Sequence, residues 1–297
     1  MKLNKINDGS KVKKIGVFCK PKAKSANSVL NKLIPWLQKK SYHVLLDTVT
    51  ASIINEFSSY EKREVSRQAD LLIVLGGDGT LLSVARAAHP HNIPILSVNL
   101  GSLGFLAETS IEELYPTLEK ILSGKFEIEN RMLLNACILR GKKKVEDHNV
   151  LNDVVINKGA VARVINLQVL VNGQYMTSYR ADGLIIATPT GSTAYSLSAG
   201  GPIVSPNINT IVLTPVSPHS LSARPIVLSD TSQIHVTFRQ KYSKINIAAD
   251  GQEQLTISSE AKIYISKSDI KAKFVYFPSM ENYYSKLKNK LNWIGKN

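Results

Sequence analysis

Cysteine is scarce in this sequence of 297 residues, and its scarcity excludes two kinds of protein. Cys19 and Cys137 are too few for a disulfide scaffold or a four-cysteine zinc site. Both lie in apolar, strand-like runs, which indicates buried thiols and a reducing compartment. The six histidines are scattered without the spacing of metal ligands. We therefore expect a cytoplasmic protein in which no set of residues forms a metal site by itself.

Long hydrophobic runs are also absent. Leu71–Leu75 is typical of the longest ones, far below the ~20 apolar residues that a membrane-spanning helix needs. The first ten residues are rich in Lys and Asn and no apolar block follows them, so we expect neither a signal peptide nor membrane association. Hydrophobic residues nevertheless make up 43% of the chain, which predicts a packed globular core and excludes wholesale disorder.

Acidic residues are few relative to basic ones, since 23 Asp and Glu stand against 37 Lys and Arg and give a net charge of +14. This excess is typical either of a lysine-rich solvated surface or of a protein that attracts polyanions. Lysines cluster only modestly, and no basic stripe alternates with aromatic residues as strand-binding proteins require. We therefore expect small phosphorylated ligands and no nucleic acid.

The first 125 residues alternate between strand-like and helix-like patterns. Such alternation predicts right-handed crossovers and a buried parallel sheet, that is, a Rossmann-like α/β domain over residues 1–125. The predicted strands are 15–19, 42–46, 70–75 and 93–98, and the predicted helices are 25–39, 53–68, 80–88 and 111–123.

Beyond residue 126 the pattern changes to short β-rich runs with few helix signals. Asn172 and Gly173 stand between two apolar runs, which is a strong hairpin signal. We therefore predict a β-rich second domain over residues 126–268 and a lysine-rich tail over 269–297. The predicted strands are 132–139, 150–157, 167–171, 174–177, 183–188, 210–216, 225–228, 233–238, 245–249, 262–266 and 273–277, and a helix is expected within 282–293.

A glycine-rich loop follows the apolar strand at 70–75 and leads into a predicted helix. Its sequence, Gly-Gly-Asp-Gly-Thr from 76 to 80, fits neither the Walker pattern nor the dinucleotide fingerprint. Glycines let backbone N–H groups approach an anion, but an acid beside phosphates is repulsive unless it accepts a proton or holds a metal. Asp78 is therefore either a functional carboxylate or the cap of a helix that starts near Thr80.

Four further segments combine polar residues with close backbone approach. The run 180–202 is small, hydroxylated and poor in charge, so it suits a ligand contact better than a solvated loop. Asn152 and Asp153 precede a buried strand and could read a nucleoside, or could simply form a turn. The Asp-Gly-Gln sequence at 250–252 could be an ordinary hairpin turn, and the segment 217–225 contains a histidine and an arginine of open role.

Taken together and in this order, these motifs resemble those of the NAD kinase family. The Gly-Gly-Asp-Gly loop alone is also similar to loops of diacylglycerol kinases and 6-phosphofructokinases, whereas the segment 182–202 and its flanking motifs are more specific. The resemblance covers the chain from about residue 15 to 277. It implies an α/β domain followed by a β-rich domain, with the tail 269–297 returning to the first domain.

The resemblance also implies roles for individual residues. Asp78 corresponds to the family's proton acceptor, and the phosphate-donor loop corresponds to Gly76, Gly77, Gly79 and Thr80. Asp153 stands where the family more often has Glu. Arg163, Arg180 and Asp182 fall at substrate-contact positions, some of them contributed by a neighbouring subunit. In the loop, Asp78 and Gly79 are also NAD-contact positions. The remaining NAD-contact positions are Phe105, Asn152, Asp153, Thr193, Ala194, Tyr195, Ser196, Leu197, Ser198, Asp250 and Gln252.

The implied reaction transfers the terminal phosphoryl group of ATP, or of another donor, to the 2′-hydroxyl of the adenosine ribose of NAD. NAD and ATP would be the substrates, Mg²⁺ would accompany them, and a homodimer or homotetramer is expected. Two alternatives remain from the residues alone: a related kinase of lipids or sugar phosphates, and a non-catalytic basic nucleotide-binding protein.

Overall fold

The protein is seen here in a computed structural model. It describes residues 12–101, 104–106, 109–158, 164–277 and 283–293, together with the backbone of residues 4 and 5. Contacts divide the chain into two compact units. Unit 1 comprises Met1–Asn130 and Ala272–Asn297, and unit 2 comprises Arg131–Lys271. Within the described ranges, no helix has both the length and the apolar character needed to cross a membrane.

The secondary structure follows the chain in this order. The strands are β1 (Asn4–Lys5), β2 (Lys14–Cys19), β3 (His43–Leu46), β4 (Leu71–Leu75), β5 (Pro94–Val98), β6 (Glu127–Arg140), β7 (Lys143–Val150), β8 (Asp153–Asn157), β9 (Ile165–Val171), β10 (Gln174–Ala181), β11 (Gly183–Ala187), β12 (Thr210–Val216), β13 (Ile226–Ser229), β14 (Ile234–Phe238), β15 (Ile245–Ala249), β16 (Glu253–Ile257) and β17 (Ala261–Tyr276). The α-helices are α1 (Ala26–Lys39), α2 (Thr48–Ile53), α3 (Lys62–Gln68), α4 (Asp78–Ala88), α5 (Leu114–Leu122), α6 (Tyr195–Ser198) and α7 (Tyr283–Lys290), and short 3₁₀ turns cover His89–His91 and Thr190–Thr193.

Unit 1 contains the parallel sheet that the alternating pattern predicts. Its strands lie in the order β17, β5, β4, β2, β3, and each neighbouring pair is parallel. Only the last residues of β17, from Ala272 onward, belong to unit 1. From β2 the chain moves outward to β3 on one side and then returns to β4 on the other. The carboxyl ends of β2 and β4 therefore form the topological switch point, where open α/β sheets bind their ligands.

The core of unit 1 explains why these residues form these elements. The β4 strand is buried along its whole length, as expected for a central parallel strand covered on both faces. Helix α1 turns its apolar side inward and buries Leu30, Leu33 and Leu37. It remains one helix although Pro35 lies inside it.

Unit 2 is built from antiparallel strands in two sheets. One sheet has the order β13, β12, β11, β8, β15, β16. The other pairs β10, β9, β14 and β17 in that order, and β6 joins β17 and β7. Alternate residues of both sheets, such as Leu184 and Val169, are fully buried in one core. The predicted hairpin is confirmed, because Asn172 and Gly173 have φ of 52° and 79° in the turn between β9 and β10.

The single helix predicted over 53–68 is wrong. The structure has two short helices, α2 and α3, separated by the residues from 54 to 61. Asn55 adopts a left-handed φ of 57°, which ends α2, and Glu61 and Glu64 form a capping box that starts α3. Both features interrupt the weak helical periodicity of residues 53–68. That periodicity alone does not indicate where one helix ends and the next begins.

The β-rich half also contains elements that the apolar pattern did not indicate. Strand β7 is mostly polar and has one buried residue, so it lacks the alternation that marks a half-buried strand. Strand β16 has only five residues, so its alternation is too short to identify it. The two strands predicted at 262–266 and 273–277 are parts of the single strand β17.

Gly16 provides a test of packing in unit 1. An added methyl group there would lie 2.7 Å from Leu72 Cδ2 and 2.8 Å from Val65 Cγ1. Because overpacking forces neighbouring side chains from their preferred positions, we expect Gly16→Ala to lower the free energy of unfolding by about 1–3 kcal/mol, measured by urea denaturation. Gly101→Ala is the control, since the added methyl group meets no described atom within 4 Å. Equal stability of the two variants would contradict this packing.

Candidate active site

The glycine-rich turn joins β4 to α4 at the switch point of unit 1. The Gly76 N–H donates to the carbonyl oxygen of Val98 at 2.9 Å, which ties the turn to the end of β5. Gly77 is the N-cap residue and α4 begins at Asp78, two residues before the start that we predicted. Asp78 is therefore not the cap of this helix, and its carboxylate is used elsewhere.

The Asp78 carboxylate is held by the segment 104–106 of the same unit. Oδ2 accepts the N–H of Phe105 at 2.9 Å, and Oδ1 accepts the N–H of Leu106 at 3.1 Å. Gly104 makes this contact possible, because a Cβ atom there would lie only 2.0 Å from Asp78 Oδ1. The carboxylate is thus fixed by two donors and a close backbone approach while its residue stays half-buried.

A cleft of about 500 Å³ opens beside this turn within unit 1. It lies past the carboxyl ends of β2 and β4, as the switch-point rule expects. Its lining combines loop glycines, hydroxyl groups and two lysines with a larger apolar part. The lining residues are Phe18, Cys19, Lys20, Pro21, Asp47, Val49, Lys62, Gly77, Gly79, Thr80, Ser83 and Val84.

The lining of the cleft offers no nucleophilic thiol and no closed set of metal ligands. Burial and the nearby Asp47 carboxylate raise the pKa of Cys19 to about 12, so the thiol stays protonated at neutral pH. Asp47 is the acidic residue of the lining, and its Oδ1 accepts the N–H of Thr50 at 2.8 Å. Across the described ranges there is no group of three or more His, Cys, Asp or Glu side chains placed to hold a metal ion.

In unit 2, a second carboxylate fixes the backbone of the Asn152–Asp153 pair. Asp250 Oδ1 accepts the N–H groups of Asn152 at 2.7 Å and Asp153 at 3.2 Å, and its Oδ2 accepts that of Leu151 at 3.1 Å. Asp250 and Gly251 have φ of 52° and 65°, so they form the predicted hairpin turn between β15 and β16. The same dipeptide therefore reverses the chain and anchors the segment before β8.

The turn after β11 approaches the same pair from the other side. The Thr188 N–H donates to the Asn152 carbonyl at 2.8 Å, and the Thr188 hydroxyl donates to the carbonyl of Leu151. A Cβ atom on Gly191 would lie 2.1 Å from the Asn152 carbonyl oxygen, so this glycine permits the close approach. Two separate segments, the Asp250 turn and the turn after β11, thus fix the backbone of the Asn152–Asp153 pair.

Neither side chain of this pair hydrogen-bonds to another described residue. Asp153 is only 4% exposed, and burial followed by the charge of Asp250 raises the pKa of its carboxyl to about 7. A buried carboxyl without a protein partner costs free energy and is typical of a site that awaits a ligand.

The segment 193–198 divides into buried and accessible residues. Ser196 is buried and shares a hydrogen bond of 2.8 Å with the Thr214 hydroxyl, so its side chain is committed to the core of unit 2. Tyr195 is 47% exposed and Ser198 is exposed, whereas Thr193, Ala194 and Leu197 are half-buried. The ring of Tyr195 is therefore the accessible aromatic group of this segment.

Arg180 and Asp182 lie away from the Asn152–Asp153 pair. Strand β11 pairs Ala187 with Asp153 and Gly183 with Asn157, so Asp182 precedes the opposite end of the strand. At ~3.3 Å per residue the two ends are about 13 Å apart. Arg180 is exposed, and its carbonyl accepts the His219 N–H at 2.8 Å, which links it to the segment 217–225. Arg163 lies outside the described residues.

The sequence alone did not indicate four of the residues that shape the candidate sites of unit 1 and unit 2. Gly191 was only one member of the run 180–202, and Gly104 was known only as the neighbour of Phe105, although each is required by a close approach. Lys62 and Ser83 line the cleft from α3 and α4, yet each is an ordinary polar residue of a helix. Only the three-dimensional position distinguishes them, and no local spacing signal does.

Asp153 allows a test by pH. Its pKa lies above the ordinary value of 3.8, so the native state binds the extra proton and stability is lost as pH rises from about 4 to about 7. We expect Asp153→Asn to raise stability at pH 8 by roughly 2–4 kcal/mol, with a smaller gain at pH 5, measured by thermal unfolding. Asp269→Asn removes an exposed carboxylate and serves as the control. An equal gain in stability at both pH values would show that ionisation of the Asp153 carboxyl does not destabilise the native state.

Comparisons with known proteins agree with this geometry. The family model for the ATP-NAD kinase N-terminal domain matches residues 15–126, and the model for the C-terminal domain matches residues 151–277. The NAD kinases of Syntrophotalea carbinolica and Geobacter sulfurreducens are each 43% identical to this chain, with 95% of it and 99% of the relative covered.

Two solved structures are similar over nearly the whole chain. The crystal structure of yeast NADH kinase complexed with NADH has a TM-score of 0.88 and 27% identity, covering 97% of this chain and 90% of the other. An NAD kinase from Archaeoglobus fulgidus in complex with ATP has a TM-score of 0.75 and 25% identity, covering 95% and 100%. These matches do not favour a lipid or sugar-phosphate kinase. Both family models and the full-length relatives show that the chain belongs to the NAD kinase family.

Proposed function

We propose that this protein transfers the terminal phosphoryl group of ATP, or of another phosphoryl donor, to the 2′-hydroxyl of the adenosine ribose of NAD and so makes NADP. Unit 1 binds the donor and supplies the base, and unit 2 recognises NAD. The observation that carries the proposal is the Asp78 carboxylate, held by two backbone N–H groups at the glycine-rich turn beside a lysine-containing cleft. The direct test is incubation with NAD, ATP and Mg²⁺, followed by detection of NADP with an NADP-specific dehydrogenase.

Asp78 acts as the general base. Each carboxylate oxygen has more than one lone pair, so accepting the N–H of Phe105 or Leu106 leaves capacity for a hydroxyl proton. As the ribose 2′-oxygen attacks the terminal phosphorus, its proton passes to Asp78, and the bond to the leaving phosphate breaks. The products are NADP and the shortened donor, which is ADP when ATP is used.

The donor phosphates lie at Gly76, Gly77, Gly79 and Thr80. Phosphoryl transfer depends mainly on positioning and charge neutralisation, which loop N–H groups, the positive end of the α4 dipole and nearby lysines supply. Mg²⁺ commonly binds through one or two carboxylates together with substrate phosphates. The cleft fits a metal of this kind, with Asp47 as its protein ligand, because it contains one carboxylate rather than a closed ligand set. The metal would offset phosphate charge.

NAD recognition is assigned to the anchored pair of unit 2. The Asn152 amide can donate to and accept from the adenine edge, and the Asp153 carboxyl can bond ribose hydroxyls. Both groups are preoriented by Asp250 and unused by other described residues. Tyr195 supplies an aromatic face for a ring, the remaining residues of 193–198 complete the wall, and Gln252 and Phe105 add contacts.

The residues remote from this pair are assigned to a neighbouring copy of the chain. Arg180 and Asp182 lie at the opposite end of β11, so within one unit they do not reach the ligand groups of Asn152 and Asp153. A homodimer or homotetramer would let them serve the site of another subunit, together with Arg163. The protein acts in the cytoplasm on small-molecule substrates, without nucleic acid or membrane partners.

Removing the base tests the mechanism. We expect Asp78→Asn to lower kcat by about 10²–10⁴-fold, because the amide cannot accept the hydroxyl proton, while NAD still binds and the protein stays folded. Steady-state kinetics, calorimetric titration with NAD and thermal unfolding measure the three quantities. Asp70→Asn is the matched control, since Asp70 also accepts two backbone N–H groups in unit 1, from Lys13 and Lys14, but precedes β4 at the end of the strand opposite the glycine-rich turn. Near-normal turnover of Asp78→Asn would refute the assignment of the base.

Gly104 tests whether the position of the carboxylate matters. An added methyl group would overlap Asp78 Oδ1, so we expect Gly104→Ala to lower kcat by about 10–100-fold with little change in the KM for NAD. If Gly104 acts through Asp78, adding Gly104→Ala to Asp78→Asn lowers kcat no further. Additive losses in the double variant would mean that Gly104 has a separate role.

A further inference from the structure

Lys62 occupies an unusual place for a lysine of unit 1. It is the first residue of α3, it lines the cleft and it is half-buried, whereas lysines such as Lys32 are exposed. Its Nζ donates to the Ser83 hydroxyl of α4 at 2.6 Å. This hydrogen bond ties the ammonium group to α4, the helix that begins at the glycine-rich turn.

The ammonium group of Lys62 forms no ion pair with a described carboxylate, although the Asp47 carboxylate lines the same cleft. Among the described residues, no carboxylate oxygen lies within 4 Å of its Nζ. Partial burial of an ammonium group costs free energy unless an anion or strong acceptor faces it, and a neutral hydroxyl offsets only part of that cost. The arrangement therefore favours a ligand that brings negative charge.

Other groups of the cleft point to the same kind of ligand. Lys20 follows β2 at the exposed rim, and Gly77, Gly79 and Thr80 belong to the turn where α4 begins. A helix start, glycine backbone and two lysines around one cleft offer several donors to a ligand with more than one negative group.

We propose that Lys62, oriented by Ser83, binds the phosphate chain of the phosphoryl donor and sets the affinity for that donor. This inference rests on the proposed kinase function and assigns a residue to it that the glycine-rich motif does not contain. The shared chemistry is a run of linked phosphates, which a nucleoside triphosphate or inorganic polyphosphate could provide. Lys62 is a binding residue here, and Ser83 is a positioning residue that acts through it.

The experiment compares donor and acceptor affinity in the full-length protein. Lys62→Gln should raise the KM for ATP and the Kd for inorganic tripolyphosphate about tenfold, while the KM for NAD stays within about twofold. Lys62→Arg should restore most of the affinity, because it keeps the charge. Ser83→Ala should raise the KM for ATP about two- to threefold. Lys32→Gln removes the same charge from an exposed site and should change neither constant.

The outcomes separate this inference from the function itself. If the unmodified protein makes NADP while Lys62→Gln keeps its KM for ATP, the inference fails and the kinase function stands. If Lys62→Gln and Ser83→Ala lower thermal stability equally and raise both KM values together, Lys62 only links α3 to α4, which also overturns it. If the unmodified protein makes no NADP with either donor, the proposed function itself fails. Turnover with ATP or with tripolyphosphate identifies the source of the phosphate chain, and the loss in Lys62→Gln is required in either case.

Discussion

A carboxylate that accepts backbone N–H groups from a distant part of the chain is the interaction on which the candidate site residues of each unit depend. In unit 1, Asp78 at the start of α4 holds the segment 104–106. In unit 2, Asp250 in a hairpin turn holds the segment 151–153. Such charge-assisted bonds are short and directional, so each one locks a loop that could otherwise take many conformations. The two carboxylates differ in the proposed function: Asp250 positions the Asn152–Asp153 pair, whereas Asp78 is assigned the role of base.

Close backbone approach is the second requirement, and it explains the glycines better than flexibility does. Gly104 and Gly191 do not have positive φ values, so other residues could adopt their conformations. They are glycines because a Cβ atom would overlap Asp78 in one case and the Asn152 backbone in the other. Substitution at either position would therefore displace a functional group rather than strain the chain.

Much of the fold could be predicted because hydrophobic periodicity determines it. Strands β2 and β4 and helix α1 were identified from patterns that burial on one or both faces demands. Strands β7 and β16 could not be predicted from hydrophobic periodicity. Backbone pairing with the neighbouring strands β6 and β15 places them in the sheets. For the site, the motifs gave the residue types at 76–80, 152–153 and 250–252, but not the partnerships among them. Lys62 could not be found at all, because a lysine at the start of a helix is common and only the cleft makes it special.

Each unit contains an ionisable side chain that is removed from water without an oppositely charged partner among the described residues. Unit 2 keeps a buried carboxyl, Asp153, without a partner among the described residues, and unit 1 keeps a half-buried ammonium group, Lys62, without a carboxylate. Burial of an ionisable group without a charged partner costs free energy. Under the proposed function each group meets a different ligand, namely ribose hydroxyls at Asp153 and phosphates at Lys62. A loss of stability at such positions is the expected result when a site is selected for function rather than for folding.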